Sequence, residues 1–220
     1  MKTWTVLPVA LLLAACASTP LPPRVEGLFN DSAFRPASEP IGAGDLFAMS
    51  PEMKRYLGTT IAPVARAKGP QQGLFEALYS KGQLKLEYDS AKTRNAAQAF
   101  AARSGNCLSL VIMTAAFAKE MGLPVTYQSA FLDESWGRSG DIHFFIGHVN
   151  VTLGPHLTRL NNSTNLLVRQ DETDLTIDFL LPRELRGLNT RVIDEQTIVA
   201  MYMNNRAVES FIDGQLDNAY

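Results

Sequence analysis

The stretch "CLSLVIMTAAFAKEM", residues 107–121, decides the fold class. Apolar side chains occur all round the helical circumference, and the only charges, Lys119 and Glu120, come at its end. Gly122 and Pro124 then close it, the expected punctuation for a helix C-terminus. A helix that is apolar on every side has to be buried. Immediately upstream, Ser104-Gly105-Asn106 reads as a tight turn, and Ala91 to Arg103 as a helix with Ala96, Ala99 and Phe100 facing inward. Shorter helical pieces are expected over Asp45 to Gly58 and Gly73 to Gly82, interrupted by Pro51, Pro63 and Pro70. Leu84 to Tyr88 reads as a brief strand or a lead into the next helix. Downstream, the pattern shifts to strands over Val125 to Leu132, Ile142 to Leu153, Asn165 to Gln170 and Asp174 to Leu181. Helices first and an antiparallel sheet second make an α+β domain.

Composition excludes several function classes. A net charge of −2 leaves no electrostatic footprint for nucleic acid. No Gly-rich phosphate loop and no paired CxxC occurs, so no cofactor is expected. A zinc site built on Cys107 would need three or four converging ligands, and the histidines are not clustered at metal spacing, so no metal is expected.

The first residues read as an address. Lys2 precedes an apolar run, Thr5 to Ala15, far shorter than the roughly 20 residues of a bilayer-spanning helix. Its end, Leu13-Ala14-Ala15-Cys16, resembles the lipobox of bacterial lipoproteins. That resemblance implies a signal peptide over 1–15 and acyl chains on Cys16, which would hold the protein on a membrane. Ala17 after the anchor is similar to the outer-membrane pattern, with the domain facing the periplasm. Residues 16–40, with "STPLPPR" near their head, are too rich in Pro, Ser and Ala to bury a core, and read as a tether.

With Cys16 committed to lipid, the second of two cysteines, Cys107, stands alone in a disulfide-permissive compartment. A buried structural thiol is one reading of it. Its place at the start of a helix supports another. Unpaired backbone N–H groups and a partial positive charge there favour a thiolate nucleophile and can hold an oxyanion. Such a nucleophile needs a base and an orienting group. Among three histidines, His143 and His148 lie in one expected strand five residues apart, on opposite faces, and His156 follows Gly154-Pro155 in a loop. Asp178, inside "LTIDFLLP", is a carboxylate where a strand would carry an apolar residue, and it needs a partner.

The segment Tyr88 to about Pro182 resembles the transglutaminase-like superfamily. The features that carry the resemblance are Ala96-Ala97, Arg103, Gly105 and Cys107, then Gly122-Leu123-Pro124, with a strand histidine and a strand aspartate following in that order. His148 lies 41 residues after Cys107, and Asp178 a further 30 on. The resemblance implies a papain-like core over residues 41–190, with Cys107 as nucleophile, His148 as base and Asp178 as orienter. It implies acyl transfer or amide hydrolysis on a peptide or protein, as a protease, amidase or transglutaminase. Two departures blur the substrate side: Val149-Asn150 after the histidine, and Phe179-Leu180 after the aspartate. Residues 191–220 read as a helical segment, and "NNRAVESFIDGQLDNAY" is similar in rhythm to an incomplete tetratricopeptide repeat. A single incomplete repeat cannot bury its own face, so it is expected either to pack on the catalytic domain or to belong to a longer natural chain. A catalytically silent, lipid-anchored scaffold whose helical tail docks a protein partner is the competing reading of the whole chain.

Overall fold

The computed structural model describes residues 29–39, 41–80, 84, 86–131, 136–139, 142–145, 147–154, 174–179 and 189–220. Cys16, His156 and the strand expected over Asn165 to Gln170 lie outside the described residues. The chain divides into two units, Met1–Pro36 and Ala37–Tyr220. The first contributes a short 3-10 turn, Asp31–Ala33. The second holds a mixed helix-and-sheet, α+β architecture.

The helical layer opens with α1, Pro51–Tyr56, whose first turn is capped by the Ser50 hydroxyl accepting from the Met53 N–H at 3.2 Å. Pro63 was expected to break the chain here; instead a π-helical turn, Leu57–Ile61, carries the helix on into α2, Ala62–Lys68. Pro63 has no N–H for the Thr59 carbonyl and its ring crowds that oxygen, and the wider turn relieves both problems. Gly69, at φ +89°, turns the chain into α3, Pro70–Tyr79. There α2 and α3 approach so closely at Gly73 that an added Cβ would lie 2.4 Å from the Ala65 Cα.

The Ser104–Asn106 turn is corrected by the structure. Helix α4, Ala96–Ala102, ends on Arg103 in the left-handed conformation (φ +51°), and that residue makes the turn. Ser104–Gly105 is extended as β2 and pairs in parallel with β1, Glu87–Tyr88. The expected helix start at Ala91 also moves, to Ala96. Asn95 forms a reciprocal capping box with Gln98, fixing the first turn there.

Helix α5, Cys107–Glu120, is the axis of the domain, buried continuously from Leu108 to Ala118. Around it gather Met53, Leu74, Leu78, Val151, Leu153 and Ile198. Phe117 is fully buried and meets Tyr56 and Phe100 edge-on. Two buried hydroxyls on the helix are satisfied: Ser109 donates to Asn106, and Thr114 donates to the Leu110 carbonyl and also pairs with the Tyr79 hydroxyl.

The main sheet runs in the order β7-β6-β3-β8, every neighbouring pair antiparallel. Its strands are β3, Val125–Phe131, β6, His148–Leu153, β7, Leu175–Ile177, and β8, Asn189–Ile193. Between β3 and β6 stands a separate hairpin, β4, Trp136–Ser139, with β5, Ile142–Phe145. The single strand expected over Ile142 to Leu153 is thus two strands in two sheets, parted around Gly147. β8 was not anticipated, because "NTRVI" is exposed over four of its five residues and carries no apolar alternation.

Helix α6, Glu195–Ile212, and the short α7, Leu216–Ala219, end the chain, with Gly214 at φ +74° between them. The division at residue 190 falls inside β8, and α6 sends Ile198 and Tyr202 into the common core. At the other end, Ser38 and Glu39 of the expected tether bond to Asn218 and Arg206, so those residues belong to the folded unit. Lys119, at the last turn of α5, pairs with Glu195 at the first turn of α6, where each charge complements a helix end.

Candidate functional site

Asn106 makes the site possible. It is extended (φ −75°, ψ 175°), and its Oδ1 accepts the Ser109 N–H at 2.9 Å, capping α5 one residue before Cys107. Gly105 precedes it, and a Cβ at that position would lie 2.6 Å from the Ser109 Cβ. The chain can therefore enter α5 along this path only with glycine at 105. Cys107 emerges half-buried at the first helical position, as a free thiol.

The three expected residues meet. His148 opens β6 and is almost completely buried. Its Nε2 lies 2.7 Å from Asp178 Oδ1, and Cys107 stands close enough to the ring to raise its basicity. A carboxylate can only accept, so Nε2 carries a proton and Nδ1 is the nitrogen that Asp178 does not use. Asp178 lies just beyond β7, whose register places Ile177 opposite Val151 and so brings Asp178 beside Asn150. The pair is shielded from solvent, with side-chain exposures of 3% for His148 and 10% for Asp178, so their attraction is little screened.

Burial alone would lower the basicity of His148, because it disfavours the charged ring. The hydrogen bonds to Asp178 and Cys107, with the negative charge of both partners, outweigh it, and the imidazole pKa is pushed up to about 9 from its ordinary 6.5. The ring is accordingly protonated at neutral pH.

Asn150, absent from the sequence-derived set, completes the cluster. It is buried, and its Nδ2 donates to Asp178 Oδ2 at 2.9 Å, leaving Oδ1 to the histidine. Both carboxylate oxygens are thus engaged. The signal was its spacing: residues 148 and 150 share one face of a strand. Thr152 continues that face and meets the Thr176 hydroxyl at 2.8 Å. The Asn150 Oδ1 has no hydrogen-bond partner among the described residues.

His143 does not join the site. It sits exposed on β5, opposite Arg138 and in a different sheet from His148. Among the described residues, no three His, Cys, Asp or Glu side chains are grouped as a metal ion would require. No protein-family model, curated protein or solved structure matches the chain.

Proposed function

We propose that the chain is a cysteine enzyme of the transglutaminase-like, papain-fold kind, transferring or hydrolysing acyl groups of a peptide or protein. The observation that carries the reading is the buried His148 imidazole held between the Asp178 carboxylate and the sulfur of a cysteine that opens a buried helix. Chance assembly of nucleophile, base and orienter from three distant parts of a chain is rare, and their roles are those acyl transfer needs.

In this reading the Cys107 sulfur, its proton already resting on the charged His148 ring, attacks an amide carbonyl carbon as a thiolate. The carbonyl oxygen takes up the electron pair of the C=O π bond and is met by N–H groups in the first turn of α5. Asn106 already occupies the Ser109 N–H, so those of Cys107 and Leu108 are the candidates. As the oxyanion collapses, the C–N bond breaks, and the imidazolium delivers its proton to the departing nitrogen. A thioester remains on Cys107. Water or an amine then attacks it, loses a proton to Nδ1, and expels the sulfur, which is left beside the charged ring as at the start. Asp178 stays ionised throughout and holds the ring.

Alkylation and acyl trapping test the reading together. Iodoacetamide at pH 7 is expected to label Cys107 at least tenfold faster than a free cysteine derivative. Incubation with a peptide library should leave an acyl mass on Cys107, removable by hydroxylamine and absent from Cys107→Ala. A thiol no more reactive than the free derivative, with no acyl adduct, would place the protein among inert scaffolds.

The lipobox-like Leu13-Ala14-Ala15-Cys16 supports a lipid anchor at the bacterial envelope, with the domain facing its substrate from an outer-membrane surface. Cys16→Ser should then leave unprocessed precursor that no longer partitions with detergent. Equal partition of mutant and wild type would refute the anchor.

A further inference from the structure

We propose that Thr93, Asn205 and Glu209 are positioning residues for Cys107, so that the C-terminal helix α6 sets the geometry of the nucleophile. The inference rests on the acyl-transfer reading of Cys107 and goes beyond it, because α6 takes no part in the triad.

The connection is continuous. Glu209 Oε1 accepts the Thr93 N–H at 2.7 Å, and Asn205 Nδ2 donates to Thr93 Oγ1 at 3.2 Å. These two residues stand four apart on α6, one turn from each other on a single face. Thr93 is itself buried, at 1% exposure, so its polar atoms have no recourse to water. The same Oγ1 accepts a second bond, from Asn106 Nδ2 at 2.9 Å. Two donors use both lone pairs of a hydroxyl oxygen. Thr93 is thus a junction that joins α6 to the residue next to the nucleophile, and no spare acceptor remains there.

Asn106 then passes the constraint on. With its amide nitrogen fixed on Thr93, its Oδ1 is turned to the helix, accepting from the Ser109 N–H at 2.9 Å and the Ser109 hydroxyl at 2.8 Å. The Ser109 oxygen in turn accepts the Arg94 N–H at 2.8 Å, closing a ring that returns to the residue after Thr93. Glu209 is oriented by Arg206, which reaches its Oε2 at 3.1 Å and Glu39 Oε2 at 3.1 Å. The chain segments joined are more than a hundred residues apart, so α6 has to be in place before the first turn of α5 is fully fixed. Catalytic geometry is steeply sensitive to such placement, since about 1 Å of misplacement can cost a hundredfold in rate.

A purely structural role for α6, through Ile198 and Tyr202 in the core, makes a different forecast. The two are separated in the full chain, purified in detergent, by two readouts. One is the rate of Cys107 alkylation by iodoacetamide. The other is the 15N and 1H signals of the Cys107 amide and the His148 ring, which report the contact whether or not the thiol is reactive. Thr93→Val and Glu209→Ala are expected to shift those signals and slow alkylation about tenfold. Thr93→Ser and Glu209→Gln, which keep the acceptors, should stay within about threefold of wild type with unshifted signals. Ile198→Val serves as the control that loosens α6 in the core without touching the network, and should leave both readouts unchanged. If Thr93→Val fails to fold, Glu209→Ala, on a partly exposed residue, decides alone. Unshifted His148 and Cys107 signals in Glu209→Ala would overturn the inference. A wild-type thiol without enhanced reactivity would instead count against the acyl-transfer reading, while the spectra still decide whether α6 positions Cys107.

Discussion

At the scale of single residues, the site is organised by how one carboxylate is divided. Asp178 gives Oδ1 to the histidine and Oδ2 to Asn150, so the carboxylate cannot rotate away without breaking both bonds. Asn150 thus acts on the base through Asp178, as a positioning residue. Replacing it by leucine, similar in size and without a donor, removes the shielded hydrogen bond to Oδ2, a loss of about 1–3 kcal/mol of stability. The effect on acyl transfer is expected in kcat, with KM little changed, because nothing in the interaction involves substrate binding. Asp178→Asn should be more severe: an amide can present its NH2 group to Nε2, favouring the tautomer that leaves the proton on Nδ1 and disables the base. A kcat reduction of roughly a thousandfold or more for Asp178→Asn, against a smaller one for Asn150→Leu, is the expected order. Steady-state kinetics on any substrate found by acyl trapping would measure it, and the reverse order would show that Asn150 contacts the reacting groups directly.

At the scale of elements, α5 does two things that impose opposite demands on its sequence. Its body fills the core, and its first turn must stay open to chemistry. The body follows from hydrophobicity alone, which is why Cys107 to Met121 was legible as a buried helix and why the α+β order could be read from the chain. The first turn depends on close contacts, and Gly105 is the sharpest of these. Gly105→Ala would drive a Cβ to 2.6 Å from Ser109, against a side-chain root that has no rotamer by which to retreat. The entry to α5 has to shift, moving Asn106 and with it Cys107. A destabilisation of about 1–3 kcal/mol is expected from the forced contact, with loss of accelerated alkylation at Cys107, and urea unfolding with iodoacetamide rates would show both. Unchanged reactivity in this variant would mean that the path into α5 tolerates more than the contact distances allow. The elements that sequence could not supply share a physical reason. The π-helical turn at Leu57–Ile61 depends on how far a helix can open to keep Pro63, and β8 depends on an edge of β3 that exists only once the sheet has formed. His148 and Asp178 were legible because each is a polar residue among strand-forming apolar neighbours in the sequence, and their order because it matches the resemblance. Asn150 was passed over because a strand asparagine has meaning only beside the carboxylate it holds.

At the scale of the whole molecule, the same cluster ties folding stability to pH. Only the folded chain brings Asp178 and Cys107 to His148, so the raised pKa of about 9 belongs to the folded state, and the unfolded chain keeps the ordinary 6.5. Below about pH 6.5 the ring is protonated in both states, and the folded protein has the full advantage of its pairing. Between 6.5 and about 9 the unfolded chain gives up its proton while the folded one retains it. The native state then binds more protons than the unfolded, and stability must fall as pH rises through that window. The difference between the two pKa values corresponds to about 3 kcal/mol, lost in full once pH passes about 9. Since a marginally stable domain has only about 5–15 kcal/mol in all, such a loss is large enough to measure. Urea midpoints from pH 6 to pH 10 should decline for wild type, whereas His148→Gln should show a much flatter dependence across the same window. Taking the difference between the two proteins removes the background from lysines and tyrosines titrating at the alkaline end. Cys107→Ala retains the Asp178 bond and loses the sulfur's share, so its slope should fall between those of wild type and His148→Gln. A wild-type curve parallel to that of His148→Gln would mean that the imidazole gains no proton affinity on folding, and the contact between His148, Asp178 and Cys107 could not then be the charged one on which acyl transfer depends.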